Sequence, residues 1–208
     1  MGPFHMSNAL LLARRGFAAL ALVALALGLA GCGVNNIPTN EEKAKAAWSE
    51  VLNQYQRRAE LIPNLVETVK GYAQQEKDVL TQVTEARAKA TSIQVDASTV
   101  TDPEKFQQFQ NAQAQLSSAL GRLIAVSEAY PDLKSNQNFL ALQSQIEGTE
   151  NRIAVARRDY IDAVRVYNTE LRTFPGVLWA MTLYRNNQPM QTFTISEEQM
   201  KVPQVKFN

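Results

Sequence analysis

Two pairs of acidic residues in the second half of the chain have the spacing of metal ligands. Glu147 and Glu150 are three residues apart, as are Asp159 and Asp162, so each pair lies on one face of a helix. Di-iron sites in helical bundles combine such glutamates with histidines, whereas the one histidine of this chain is His5, far upstream. We therefore expect no metal and no cofactor, and predict that these carboxylates form ion pairs with neighbouring arginines.

Arg58 is the charged residue whose position most needs an explanation, because it falls within an apolar helical seam. A buried guanidinium needs a carboxylate that it can meet with two hydrogen bonds, and Glu150 and Asp159 are the candidates. We predict a structural ion pair at this position. A second interpretation, in which the arginine pairs at 57–58 and 157–158 bind lipid headgroups, stays open.

The residue inventory excludes the catalytic sites that depend on histidine or cysteine. The chain has one cysteine, Cys32, and neither histidine nor cysteine beyond it. Zinc sites of Cys and His, cysteine nucleophiles and Ser-His-Asp triads are therefore excluded downstream of Cys32. A Ser-Lys dyad is compatible with the composition, but no serine there lies in a recognisable nucleophile turn, so we expect no catalytic residue. The 21 basic and 20 acidic residues nearly balance, which argues against a nucleic-acid partner.

Residues 1–31 have the organisation of a secretory signal peptide. Arg14 and Arg15 form a basic region, residues 17–27 are apolar without interruption, and mostly small residues follow as far as Cys32. The apolar run is short for a membrane-spanning helix, and the basic flank and small residues are typical of a cleaved signal. An uncleaved anchor that spans residues 16–34 is the alternative.

The tetrapeptide Leu29-Ala30-Gly31-Cys32 resembles the lipobox of bacterial lipoproteins. The resemblance implies cleavage before Cys32, a diacylglycerol on its sulfur, and acylation of the new amino terminus, for example by palmitate. Two or three acyl chains give stable membrane anchoring. Lipoproteins with a non-acidic residue after the cysteine, here Gly33, usually reach the outer membrane in Gram-negative bacteria. We predict a lipid-anchored cell-envelope protein that faces the periplasm, at the outer rather than the inner membrane.

The first part of the mature chain predicts a tether and then one long helix. Residues 32–40 lack an apolar period and are expected to form the lipidated tether, with Thr39 or Asn40 as the cap of a bundle that covers residues 41–184. Beyond Trp48 the spacing alternates between four and three, as on one face of a helix in a bundle. This seam consists of Val51, Tyr55, Arg58, Ile62, Leu65, Val69, Tyr72, Glu76, Val79, Val83, Ala86, Ala90 and Ile93. We expect Pro63 to kink this helix without ending it.

Two further long helices follow. Asp102 is the expected cap of the first, whose seam consists of Phe106, Phe109, Gln113, Leu116, Leu120, Leu123, Ser127 and Tyr130. The second, capped by Ser135 or Asn136, has an apolar residue at every seventh position. These residues are Phe139, Ile146, Ile153, Tyr160, Tyr167 and Phe174. A short helix at 177–184 and a mostly irregular tail at 185–208, extended near 192–195, complete the chain. The predicted fold is all-α, an antiparallel up-and-down bundle of three long helices plus a short C-terminal helix.

Two blocks of this sequence resemble the signatures of the LemA family. The first is NQYQRRAELIPNLVETVKGY at 53–72, and the second comprises YPDLK at 130–134, EGTENRI at 147–153 and ARRDY at 156–160, followed by Asn168 and FPG at 174–176. The resemblance covers residues 48–176. It implies a helical bundle attached to a bacterial membrane by its N-terminus, with no established enzymatic activity or cofactor. Many members have a transmembrane helix where this chain has a lipobox, and some relatives take part in magnetosome membrane formation.

These features predict a membrane-anchored lipoprotein of the LemA type that acts as a non-enzymatic scaffold or adaptor. The alternative is a protein that organises the membrane or binds lipid directly, and a hydrolase built from Ser, Lys and carboxylates is a third interpretation. The expected partners are the membrane and an envelope protein, and homo-oligomerisation stays open. The apolar residues at 177–184 either fold back onto the bundle or offer a surface to a partner or a membrane.

Overall fold

The computed structural model describes residues 33–96 and 98–194, and the regular elements in these ranges are helical. They are α1 (Asn36–Tyr72), α2 (Lys77–Ser92), α3 (Pro103–Val126), a 3-10 turn (Ser127–Ala129), α4 (Pro131–Lys134), α5 (Gln137–Glu170) and α6 (Gly176–Thr182). The predicted all-α fold class is therefore confirmed. None of these described helices combines the length and the apolar character needed to cross a membrane.

The described residues divide into two compact units. The smaller unit contains residues 33–39 and 169–187, and the larger one contains residues 40–96, 98–168 and 188–194. The predicted signal peptide and Cys32 lie outside the described residues.

In the larger unit, contacts at the helix ends give the direction of the helices. Trp48, early in α1, contacts Phe106 at the start of α3 and Tyr160 in the last third of α5. At the opposite end of α1, the Tyr72 hydroxyl accepts a hydrogen bond from Asn136, the residue just before α5. Helices α1 and α3 therefore point the same way, and α5 points the opposite way.

The prediction of one long first helix is wrong, because the chain turns at residues 73–76 and α2 folds back along α1. The arginine Arg87 of α2 reaches the backbone of Ala59 in α1. Val69 and Val83, seam residues on either side of the turn, are both buried, so the apolar spacing continues across it. Periodicity of this kind cannot distinguish one long helix from two helices that share a core. No proline or Asn-Gly pair marks the turn.

Pro63 lies inside α1, and the helix continues through it as predicted. Proline has no N–H to donate to the carbonyl four residues earlier, which belongs to Ala59. The Nε–H of Arg87 takes its place and donates to that carbonyl oxygen at 2.8 Å. A side chain from the neighbouring helix thus satisfies the acceptor that proline leaves free.

Two predicted helix caps are confirmed and one is wrong. The Asp102 carboxylate accepts hydrogen bonds from the backbone N–H groups of Glu104 and Lys105, and Asn136 Oδ1 accepts one from the N–H of Phe139. The first helix, by contrast, begins at Asn36 rather than after Thr39 or Asn40, so residues 36–40 of the predicted tether are helical. Pro38 lies in the first turn of α1, where a missing N–H has no cost.

The core of the larger unit has an aliphatic and an aromatic part. The aliphatic part, which also includes the ring of Phe139, contains Ile62, Leu65, Val69, Val83, Leu116, Leu120, Leu123, Leu133 and Ile146. The aromatic part contains Trp48, Tyr55, Phe106, Phe109, Tyr160 and Phe193, whose neighbouring ring centroids are 5.1–6.4 Å apart. Most of these residues lie on the predicted seams, but Phe193 comes from the tail.

Residues 188–194 of the predicted tail have no regular secondary structure and pack against the helices of the larger unit. Asn168 of α5 holds this segment at two points, since its Nδ2 donates to the carbonyl of Met190 and its Oδ1 accepts from the N–H of Met190, both at 2.9 Å. The Tyr160 hydroxyl donates to the carbonyl of Gln191 at 2.7 Å. Met190 and Phe193 are buried, so this segment contributes to the core.

Candidate functional site

A buried arginine joins three helices in the larger unit. Arg58 of α1 is 1% exposed, and its Nη1 donates to Glu150 Oε1 of α5 and to Ser117 Oγ of α3, each at 2.6 Å. Its Nη2 donates to Gln113 Oε1 of α3 at 2.7 Å. We call Arg58, Gln113, Ser117 and Glu150 the arginine cluster. Because the guanidinium is planar and its donors point in fixed directions, the cluster holds the three helices at one mutual position.

Tyr55 covers the arginine cluster from one turn earlier in α1. Its ring centroid lies 5.1 Å from Arg58 Cζ, a distance at which the cation is attracted to the ring. Burial raises the pKa of the Tyr55 phenol, and the positive charges of Arg157 and Arg58 oppose that rise only in part. Tyr55 is therefore a neutral phenol at physiological pH.

Of the two partners predicted for Arg58, the structure brings Glu150 to the guanidinium and leaves Asp159 away from it. Asp159 is 63% exposed and has its ion-pair contact with Arg158, whose Nε lies 3.8 Å from Asp159 Oδ1. The reason is helix geometry: Asp159 follows Glu150 by nine residues, which is about two and a half turns and places it on the opposite side of α5.

The other carboxylates singled out in the sequence have separate polar contacts. Glu147 Oε1 accepts a hydrogen bond from Gln143 at 2.9 Å, and Asp162 forms an ion pair with Arg165 at 3.1 Å. Within residues 33–96 and 98–194, no three or more Asp, Glu, His or Cys side chains are grouped as metal ligands would be.

Gln113 and Ser117 also belong to the arginine cluster, although the sequence alone did not identify them as partners of Arg58. Gln113 interrupts the apolar seam of α3 and is buried, and Ser117 lies one turn further along the same face. The polar Gln113 on an apolar seam was thus the sequence feature that could have identified it as a partner of Arg58. A cavity beside the cluster, lined by Tyr55, Ala59 and Gln113 among others, has a volume of about 220 Å³, below the usual size of ligand pockets.

In the smaller unit, the first described residue packs against the end of the helical region. Gly33 has a φ of 99°, in the left-handed region that favours glycine, and its carbonyl accepts a hydrogen bond from the N–H of Asn36 at 3.0 Å. A Cβ added to Gly33 would lie 3.5 Å from Pro175 Cγ. The Asn36 side chain donates to Glu170 Oε1 at 3.2 Å. The residue that follows Cys32 is therefore part of a packed structure.

The segment 174–183 of the same unit exposes large apolar side chains. Phe174 is 79% exposed and Met181 is 70% exposed, and Leu178 and Leu183 are also exposed. Phe174 was predicted to continue the seven-residue seam, but α5 ends at Glu170, so this residue lies beyond the helix. We call residues 174–183 the apolar segment.

Gly176 explains the tight turn that starts the apolar segment. A Cβ at this position would lie 2.2 Å from the backbone oxygen of Glu170, a separation that real Cβ atoms do not adopt. Glycine is therefore required here because two stretches of backbone approach each other closely.

The described residues define a class: helical-bundle proteins in which a buried arginine links the helices and an apolar segment is exposed. The model of the LemA family matches residues 47–207, which is more than half of the chain. This chain belongs to the LemA family.

Three curated relatives have similar sequences. Protein LemA of Metamycoplasma hominis is 26% identical over 140 residues, which are 67% of this chain and 60% of that protein. Magnetosome proteins MamQ 2 and MamQ 1 of Paramagnetospirillum magneticum are each 26% identical over 157 residues, covering 68% of this chain and 58% of those proteins. The chain thus spans about three fifths of the length of the relatives that it matches.

Proposed function

We propose that this LemA-family protein is a lipid-anchored scaffold or adaptor of the bacterial cell envelope, with no catalytic activity of its own. The observation that carries this proposal is the packing of Gly33 beside Pro175. Gly33, the residue after Cys32, is packed in this way, so an acylated Cys32 would hold the folded domain close to the membrane rather than on a long flexible tether. A protein held in this way is suited to positioning partners at the membrane surface.

The arginine cluster supports a structural role for the polar interior. The hydrogen bonds of its guanidinium run to side chains of α3 and α5, so the charge is used in holding helices together. A guanidinium whose donors are engaged in this way is poorly suited to acid–base catalysis.

The outer face of α5 is the surface that we assign to the partner protein. Leu140, Val155 and Val166 are each 48% exposed there. Val155 and Val166 are eleven residues apart, close to three full turns, so they lie on the same side of the helix. Exposed apolar side chains in register on one helix are typical of a contact surface for another protein.

Site-specific photocrosslinking in living cells tests the adaptor role. A photoreactive residue replaces Val155 or Val166 in the full-length protein, and the control carries it at Gln82, an exposed position on α2. We expect one dominant envelope protein attached through positions 155 and 166 and absent at 82. Self-crosslinks alone, with lipid retained on the purified protein, would contradict the adaptor role and favour a membrane-organising assembly.

A second function, direct binding to membrane lipid, is favoured by one specific observation. The apolar segment exposes four large side chains in the same compact unit as Gly33. Such a group of side chains close to an anchor is suited to contact with the bilayer itself.

A further inference from the structure

We propose that the apolar segment lies in the interfacial layer of the membrane that holds the protein, where its side chains enter the boundary between headgroups and acyl chains. The inference rests on the lipid anchor of the proposed function and names a second, independent contact with the same bilayer. The occupant of this apolar surface is thus lipid rather than a protein partner.

The composition and exposure of the apolar segment favour contact with a bilayer. Leu178 and Met181 lie three residues apart on one face of α6, Phe174 precedes the helix and Leu183 follows it, and all four side chains are exposed. Tyr184, which is half-buried, follows the segment directly. Tyrosine favours the headgroup level of a bilayer, because its ring has an apolar body and a polar edge.

The positive charge at the two ends of the apolar segment favours anionic lipid. Arg172 precedes it and Arg185 follows it, both are exposed, and no acidic residue occurs between them. Glu170, the nearest acidic residue before the segment, already accepts a hydrogen bond from Asn36. An exposed apolar surface with arginines at both ends matches the chemistry of anionic phospholipids, which offer phosphate to the guanidinium and acyl chains to the apolar side chains.

The apolar segment also lies close to Gly33, the residue that follows the expected lipid anchor. Gly33 lies beside Pro175, the residue that precedes α6. Gly33 directly follows Cys32 in the sequence, so the expected lipid attachment point is adjacent in sequence to a residue packed at this end of the apolar segment. If Cys32 is acylated, its lipid chains enter the bilayer at that point, and the exposed side chains of the segment lie at the same membrane surface.

The test measures the depth of α6 in the membrane. Cys32 is the one cysteine of the chain, so once it is acylated an introduced cysteine is the single free thiol. Met181→Cys in the full-length protein carries a polarity-sensitive fluorophore, and Leu140→Cys on α5 is the matched control with an exposed apolar side chain. Both proteins are reconstituted into vesicles of phosphatidylglycerol and phosphatidylethanolamine that contain a lipid-borne quencher. Circular dichroism checks that each variant is folded.

We expect the emission at position 181 to shift to the blue and to be quenched by the lipid, while position 140 keeps the emission of a fluorophore in water. In the unacylated Cys32→Ser protein, Arg172→Gln and Arg185→Gln should each weaken binding to these vesicles by roughly fivefold. The Cys32→Ser protein without further substitution should also bind more weakly to vesicles of phosphatidylcholine, which carry no net charge, than to the anionic vesicles. We expect this difference to be at least as large as the effect of either arginine substitution.

The outcomes separate this inference from the proposed anchor. An acylated protein that floats with the vesicles, but whose position 181 stays in water, would overturn the interfacial contact and leave the anchor standing. If the protein with the native Cys32 proves to carry no acyl chain, and position 181 is nevertheless quenched by lipid, the anchor would be removed and the contact supported. A protein that does not float with the vesicles at all would overturn both.

Discussion

Arg58 is nearly inaccessible to solvent and meets four polar atoms through its two terminal nitrogens. Its Nε is buried and makes no hydrogen bond to any of the described residues, so even this well-packed guanidinium is not fully satisfied. A buried ion of this kind does more to specify how the helices meet than to add stability, because its desolvation offsets much of its attraction to Glu150.

We predict that Arg58→Met destabilises the protein by about 2 kcal/mol, because Gln113 Oε1 loses its donor while it stays buried. The double variant Arg58→Met/Gln113→Leu should recover more than half of this loss, since the unpaired acceptor is removed as well. Urea unfolding monitored by circular dichroism measures both changes. The control is Arg57→Met at the exposed neighbouring position, which we expect to stay within about 0.5 kcal/mol of the parent protein.

A rise in stability for Arg58→Met alone, with the fold unchanged, would contradict the structural assignment. The arginine would then be retained at a cost to stability, and a direct functional role would become the better explanation.

Tyr160 provides a prediction about alkaline pH. Burial raises the pKa of its phenol strongly, and burial also raises the pKa of Tyr55. In the unfolded chain a tyrosine loses its proton near pH 10, while the folded phenol keeps it. The raised pKa of Tyr160 therefore stabilises the folded state fully below about pH 10. This contribution to the free energy of unfolding is lost as the pH rises from there toward the pKa of the folded state.

We expect Tyr160→Phe to reduce the decline of unfolding free energy above pH 10 by up to about 1.4 kcal/mol per pH unit. At pH 7 the variant should be less stable by about 1 kcal/mol, because the carbonyl of Gln191 loses the hydroxyl that donates to it. Urea unfolding at a series of pH values measures both effects. An alkaline decline as steep as in the parent protein would show that Tyr160 is not the titrating group.

Among the elements, α1 and α2 are coupled through the carbonyl that Pro63 leaves without a donor. We predict that Arg87→Ala costs about 1–3 kcal/mol, since the carbonyl of Ala59 then stays buried and unpaired. In a Pro63→Ala background the same substitution should cost close to nothing, because the N–H at position 63 can donate within the helix. A double-mutant cycle by urea unfolding measures this coupling. Equal costs in both backgrounds would show that the two residues act independently.

How much of these elements could be predicted depends on how local each cause is. The seams of α3 and α5, the caps at Asp102 and Asn136 and the passage of α1 through Pro63 follow from residue type and spacing over a few turns. The reversal at Ala73 could not be predicted, since the spacing of apolar residues is the same on both sides of it. The position of the tail could not be predicted either. Asn168 binds the backbone N–H and C=O of Met190, and these groups are the same for every residue type, so the sequence does not mark them.

The same distinction applies to the candidate site. Arg58 stood out because a charge on an apolar seam requires a partner. Choosing between Glu150 and Asp159 required the rotation of α5 relative to α1, which depends on the packing of the whole bundle. The exposure of the apolar segment likewise depends on where α5 ends, and a seven-residue pattern that continues to Phe174 does not mark that end.

For the molecule as a whole, Gly33 links the structure to the expected location in the cell. Gly33 follows the cysteine that we expect to be lipidated, and its type is what predicts the outer membrane. Its φ of 99° means that many substitutions there would strain the backbone. Gly33→Asp and Gly33→Asn form a matched pair, because both side chains tolerate this conformation and differ mainly in charge. We expect Gly33→Asn to fractionate with the outer membrane and Gly33→Asp with the inner membrane. Density-gradient separation of membranes from a Gram-negative host measures this, and identical fractionation of the two variants would remove the basis for the outer-membrane assignment.

We propose that Cys32 is the first residue of the mature protein and carries the lipid that holds the bundle at the membrane. The intact mass of the protein extracted from membranes, compared between the parent chain and Cys32→Ser, tests this proposal. We expect a parent chain that begins at Cys32 and carries two or three acyl chains, and a Cys32→Ser chain that carries none. A parent mass that retains residues upstream of Cys32 and includes no acyl chain would contradict it.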